Sequence, residues 1–158
     1  MEALRAAFRA ARVLGKAPPN RGMAAKRSRL LRWIGAFVRT AKLKPRNRPR
    51  AMLLFGRSAH ALGHRPRARR VFREVLRMVG GGEVAAAATY WLARSHGSSR
   101  RRQSMQRALR LYERLSRGRP LGWAMAARIQ MNTLERRLLA AGARTPPPLK
   151  QAMVATLP

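Results

Sequence analysis

Carboxylates are the first residues to weigh, because most acid–base and hard-metal chemistry depends on them. The chain carries five, Glu2, Glu74, Glu83, Glu113 and Glu135, and has no Asp. They are too scattered for the paired carboxylates of glycoside hydrolysis or for an oxygen cage around a cation. Ser58, Ser95 and Ser98 lack the Asp that a Ser-His-Asp triad needs. Cysteine is absent too, which removes disulfides, zinc ribbons and thiol nucleophiles. His60 and His64 stand four apart, a metal-holding spacing on a helix, but Gly63 and Pro66 interrupt that helix. Gly80-Gly81-Gly82 lacks the Lys and Ser/Thr of a phosphate-binding loop. The residues therefore point to a binder rather than an enzyme, with no cofactor, no metal and no small-molecule substrate.

The chemistry on offer is that of the guanidinium. Lys and Arg total 36, for a formal net charge of +31 over 158 residues. Five of the 36 are lysines (Lys16, Lys26, Lys42, Lys44 and Lys150), leaving 31 arginines. Such self-repulsion opposes a compact state unless a polyanion offsets it. Arg favours nucleic acid in that role, because its planar fork grips phosphate bidentately and stacks on bases. The hydrophobic fraction, 46%, is that of a globular protein, so a core is available.

Spacing places these charges. Between residues 101 and 117, Met105, Ala108, Tyr112 and Leu115 recur at three and four, as do Arg107, Arg110, Arg114 and Arg117. At about 100° per residue the two sets fall on roughly opposite helical faces, one to pack and one to meet phosphate. Arg67, Arg70, Arg73 and Arg77 repeat the ladder more loosely. Solvated helix faces usually mix signs, and here only Glu74 and Glu113 interrupt. Arg27 and Arg29, the connector residues Lys44, Arg46, Arg48 and Arg50, and the run Arg100-Arg101-Arg102 complete the candidate RNA-binding set. The nine aromatics fall mainly on apolar faces and read as core, so shape and phosphate recognition of structured RNA is expected, with little base readout.

The elements that position these residues are helices. Apolar periodicity predicts one at the N-terminus and others over about 24–43, 51–62, 66–79, 84–96, 101–117 and 121–142, with Gly and Pro between them. Strand alternation is absent, and the class expected is all-α. Lys44–Arg50, with two prolines in seven residues, reads as an extended basic connector. The organisation expected is basic N-terminal helices and linker over 1–50, a helical repeat domain over 51–142 and a Pro-rich tail over 143–158. The longest apolar run, Val84–Ala93, is ten residues, half of what a bilayer span requires. At the N-terminus, Leu4, Phe8, Ala11 and Leu14 oppose Arg5, Arg9, Arg12 and Lys16. This basic amphipathic helix has the pattern of a mitochondrial transit peptide, and equally that of an ordered RNA-contacting helix.

One internal echo stands out. Arg67–Arg77 aligns with Arg107–Arg117 at an offset of 40, matching Ala68 to Ala108, Phe72 to Tyr112 and Val75 to Leu115. Upstream, Gly56, Ala59 and Gly63 lead into Ala68 and Phe72. This series resembles the tetratricopeptide repeat over about Ala51–Met78, departing from it at Val75, where that family usually has a smaller residue. A weaker copy covers about Val84–Arg117, with Ser98–Arg102 read as a three-residue insertion in its turn. The resemblance implies antiparallel helix-turn-helix repeats that stack, with the N-terminal helices capping one end.

In size, charge and basic start, the chain resembles lineage-specific mitochondrial ribosomal proteins. That likeness implies a structural RNA-binding component of an organellar ribosome, in the mitochondrion or another organelle such as the chloroplast, whose partners are rRNA and neighbouring ribosomal proteins. The alternatives are a repeat-based protein-interaction adaptor and a non-ribosomal RNA-processing or mRNA-binding factor.

Overall fold

The structure, a computed structural model, describes residues 2–18, 21–118 and 120–143. They form α1 (Glu2–Lys16), α2 (Arg21–Thr40), a 3-10 turn (Pro45–Asn47), α3 (Arg48–Ala61), α4 (Arg65–Met78), α5 (Gly82–Gly97), α6 (Arg102–Ser116) and α7 (Leu121–Ala143). No strand occurs among the described residues, and the protein is all-α as its periodicity predicts. The tail expected beyond Ala143 lies outside the described residues.

The basic connector departs from expectation. Instead of running extended to Arg50, its prolines start helices: Pro45 opens the 3-10 turn and Pro49 lies in the first turn of α3. Proline is tolerated there because a first-turn N–H has no intrahelical partner to lose. Pro66 plays the same part in α4. Between α3 and α4 the chain reverses at Gly63, whose φ of +86° only glycine adopts readily. His64 N–H donates to Ala59 O and Gly63 N–H to His60 O, the paired bonds of a Schellman cap. The turn also separates His60 from His64, so the two do not share a helical face.

Each helix packs on the next in the chain, and alternate helices touch as well: α1 with α3, α3 with α5, and α5 with α7. The positions matched by the internal echo are core. Ala68, Phe72 and Val75 are fully buried, as is Ala108, with Tyr112 and Leu115 nearly so. Phe72 packs beneath Gly56, where an added Cβ would stand 2.5 Å from the ring. Glycine at 56 is what lets α3 and α4 approach this closely. In the second copy the turn is longer by one residue only, four between α5 and α6 against three between α3 and α4. Instead α6 begins six residues before Ala108, where α4 begins three before Ala68.

α5 joins two parts of the core. Ala87, Ala88 and Leu92 face α1–α4, while Ala86, Tyr90 and Ala93 face α6 and α7. Burial on both sides accounts for its nearly unbroken apolar composition. α1 is also a core element. Leu4, Ala7 and Ala11 are buried, and Gly15 sits against the Ala61 carbonyl, where no side chain fits. Arg27 secures the end of α1, its Nε donating to Leu14 O at 3.0 Å and its Nη2 to Ala17 O at 2.6 Å. Leu4→Ala is therefore expected to destabilise the whole domain, by about 2–4 kcal/mol in a thermal or urea melt. A neutral result would mean that α1 is not part of the cooperative fold.

Candidate nucleic-acid interface

The two arginine ladders are exposed along their full length: Arg67, Arg70, Arg73 and Arg77 on α4, and Arg107, Arg110, Arg114 and Arg117 on α6. Their helices bury Ala68, Phe72 and Val75, and Ala108, Tyr112 and Leu115, on the opposite side, so burial of one face dictates display of the other. Arg100, Arg101 and Arg102, at the α5–α6 junction, are exposed too.

Two groups of cations gather where helices meet. The first surrounds His96 of α5, which is 6% exposed. Arg69 Nη1 lies 3.4 Å from His96 Nδ1, within reach of a ring nitrogen acting as acceptor. Burial, then repulsion from Arg69, Arg73 and Arg107, lowers the His96 pKa to about 4. The imidazole is thus neutral in the native state at pH 7, and among the described residues the charges that act on it are guanidiniums of α4 and α6. Arg73 and Arg107 come from the two ladders, while Arg69 is a residue the ladder spacing passes over.

The depressed pKa makes stability pH-dependent. A folded-state pKa of about 4 lies below the ordinary 6.5, so the neutral ring's contribution is complete above pH 6.5. It is lost as pH falls from 6.5 toward 4, where the unfolded chain takes up the proton and the native chain does not. His60 behaves likewise, lowered to about 4 by burial and then by Arg94 and Arg65. Acidification from pH 7 to 4.5 should lower the melting temperature, with His96→Gln removing roughly 5 °C of that fall and leaving the His60 part. An unchanged pH profile in His96→Gln would contradict the assignment.

The second group rims a cavity of about 570 Å³ between α2, α3 and α4. Its floor is apolar, with Val38, Met52, Phe55 and Val71, and its rim carries Arg39, Arg48, Arg67 and Arg70 beside Glu74. Arg67 lies 5.2 Å from the Phe55 ring centroid, a cation–π contact between rim and floor. Three of the four rim arginines belong to the candidate set, and Arg39 is new to it. An apolar floor under guanidiniums has room for an unstacked base or ribose while its phosphates meet the rim.

Other candidates serve differently. Arg27 is half-buried and turned toward the end of α1. Arg117 Nη2 pairs with Glu113 Oε1 at 2.6 Å, so this end of the α6 ladder is locally neutralised. Arg29, Lys44, Arg46, Arg50 and Arg77 are exposed but line neither group. Among the aromatics, Phe55, Phe72, Tyr90 and Tyr112 are buried as expected, but Trp33 is 48% exposed and stacks on Phe37 with centroids 5.7 Å apart.

No group of three His, Asp or Glu positioned for a metal occurs among the described residues, and none of their helices is long and apolar enough to cross a membrane. Comparison with protein-family models, with curated proteins and with solved structures finds no match to the chain.

Proposed function

We propose that the protein is a structural RNA-binding component of a ribonucleoprotein, most specifically of a mitochondrial ribosome, and that it clamps rRNA phosphates with the exposed arginines of α4 and α6. The observation that carries this reading is the exposure of both arginine ladders on the faces of α4 and α6 that lie opposite their buried stripes, where Arg117 with Glu113 is the one salt bridge among the described residues. Like charges gathered on one surface, with Arg69 half-buried beside the exposed Arg73 and Arg107, repel one another, and a phosphate backbone supplies the counter-charge in repeating form. The helical framework fits a tetratricopeptide-like stack. Gly56 over Phe72, the Gly63 turn and the contacts between alternate helices are the features that such repeats use to bring helices close. On that reading α1–α2, α3–α4 and α5–α6 are successive helix pairs and α7 is the terminal cap.

α7 supports contact with neighbouring proteins. Leu121, Met125 and Ile129, one turn apart, are each more than 60% exposed. A contiguous apolar strip on the last helix of a stack is the kind of surface an assembly covers. The basic α1 fits mitochondrial delivery, and its buried Leu4 and Ala11 fit a segment that stays in the mature protein.

Gradient sedimentation of the tagged protein from cells tests the ribosomal reading. Co-migration with a mitochondrial ribosomal subunit, lost on ribonuclease treatment, is the expected result. Recovery only at the top of the gradient, with or without ribonuclease, would exclude a ribosomal component.

A further inference from the structure

A second basic site lies away from the arginine ladders, where α1, α3 and α5 meet around a cavity of about 450 Å³. Arg57 of α3 is its centre. Its guanidinium carbon lies 4.3 Å from the Phe8 ring centroid and 5.0 Å from that of Trp91, so rings from α1 and α5 both hold it. Arg94 lies 5.4 Å from the same Trp91 ring. Arg12 and Lys16 of α1 complete the wall, and no carboxylate lines it.

Two independent observations mark this cavity as built for an anion. Four cations line it without an acid, and Arg57 is partly desolvated with Arg12 close enough to repel it. Among the described residues, the buried side-chain polar atoms without a hydrogen-bond partner are Arg57 Nε, His60 Nε2 and Trp91 Nε1, and all three belong to residues of this wall. Arg57 Nε and Trp91 Nε1 can only donate, and buried donors are nearly always paired in folded proteins, so these two orphans in one wall point to a missing acceptor toward which the side chains turn. Four cations call for several anionic groups close together, and an RNA strand brings one phosphate with every nucleotide, each matched to a guanidinium fork. Stacking of a base is disfavoured, because guanidiniums already lie against the Phe8 and Trp91 rings.

We infer that the α1–α3–α5 cavity is a second phosphate-binding site, taking backbone phosphates of an RNA segment other than the one held on the α4 and α6 ladders. This rests on the RNA-binding reading and sharpens it. With phosphate sites on two sets of helices, the chain holds two RNA segments together instead of coating one.

Trp91 reports on the site. With Trp33→Phe and Trp123→Phe it is the only tryptophan left in the full chain. Its fluorescence is followed, at constant ionic strength, against pyrophosphate, a short unstructured RNA oligonucleotide and hexaglutamate. The expected result is a saturable change with pyrophosphate and RNA, and one at least tenfold weaker in apparent affinity with hexaglutamate. Arg12→Gln with Lys16→Gln, both outside the buried core, should weaken the phosphate response at least tenfold while the melting temperature holds. Arg110→Gln with Arg114→Gln should leave it unchanged. Silence of Trp91 toward all three probes overturns the site, even if folded RNA still binds the ladders with a steep salt dependence. A response to pyrophosphate without one to RNA overturns the assignment to RNA, and preference for hexaglutamate assigns the cavity to an acidic protein segment instead.

Discussion

Exchanging Arg73, Arg107, Arg110 and Arg114 together for Gln is expected to weaken binding to folded RNA by roughly a hundred- to a thousand-fold near physiological salt. The estimate follows from losing four phosphate contacts, each of which also removes about one unit from the salt slope. Glutamine is a good helix former, and all four positions are exposed, so far-ultraviolet dichroism and the melting temperature should stay near those of the parent. Glu113→Gln should act in the opposite direction. Glu113 Oε1 holds Arg117 Nη2 at 2.6 Å, and releasing that guanidinium adds a contact, raising affinity several-fold and steepening the slope by about one unit. Filter-binding or anisotropy titrations at several salt concentrations read both effects. Equal affinity of the four-site variant and the parent would remove α4 and α6 from the interface.

The second large effect concerns the fold. Phe72 is fully buried under Gly56, and Phe72→Ala is expected to cost about 3–5 kcal/mol, lowering the melting temperature by roughly 10 °C. Gly56→Ala should cost about 1–3 kcal/mol by overpacking, because its Cβ would stand 2.5 Å from a ring with nowhere to retreat. Combined, the two changes should cost less than their sum, since removing the ring removes the clash. Strict additivity in thermal melts would mean that α3 and α4 do not meet at this pair.

The helices were legible in the chain because their apolar residues recur with the α-helical period. Ala68, Phe72 and Val75, and their echo at Ala108, Tyr112 and Leu115, could be identified as core from spacing alone, and the structure buries all six. The ladders were legible for the same reason, since a helix that buries one stripe must display the other. Pro49 was misread, because proline within a basic run suggests extended chain, whereas in a first helical turn it costs nothing.

What spacing could not reveal is convergence between helices. Arg69 meets Arg73 one turn along α4 by spacing alone, yet Arg107 joins them only because α5 holds His96 between α4 and α6. Phe8, Arg57 and Trp91 are far apart in sequence, and nothing local announces that they meet. Arg27 shows the converse. It lies in a basic stretch suited to phosphate, but its guanidinium is engaged by the last carbonyls of α1.

The central claim is that the excess positive charge exists to hold phosphate. Its most direct test is the affinity of the full chain for a folded ribosomal RNA fragment as salt is raised. The seven ladder arginines left after Arg117, which Glu113 holds, predict a linear fall of log K with log salt, with a slope of roughly −6. A slope near zero, at any affinity, would contradict the account.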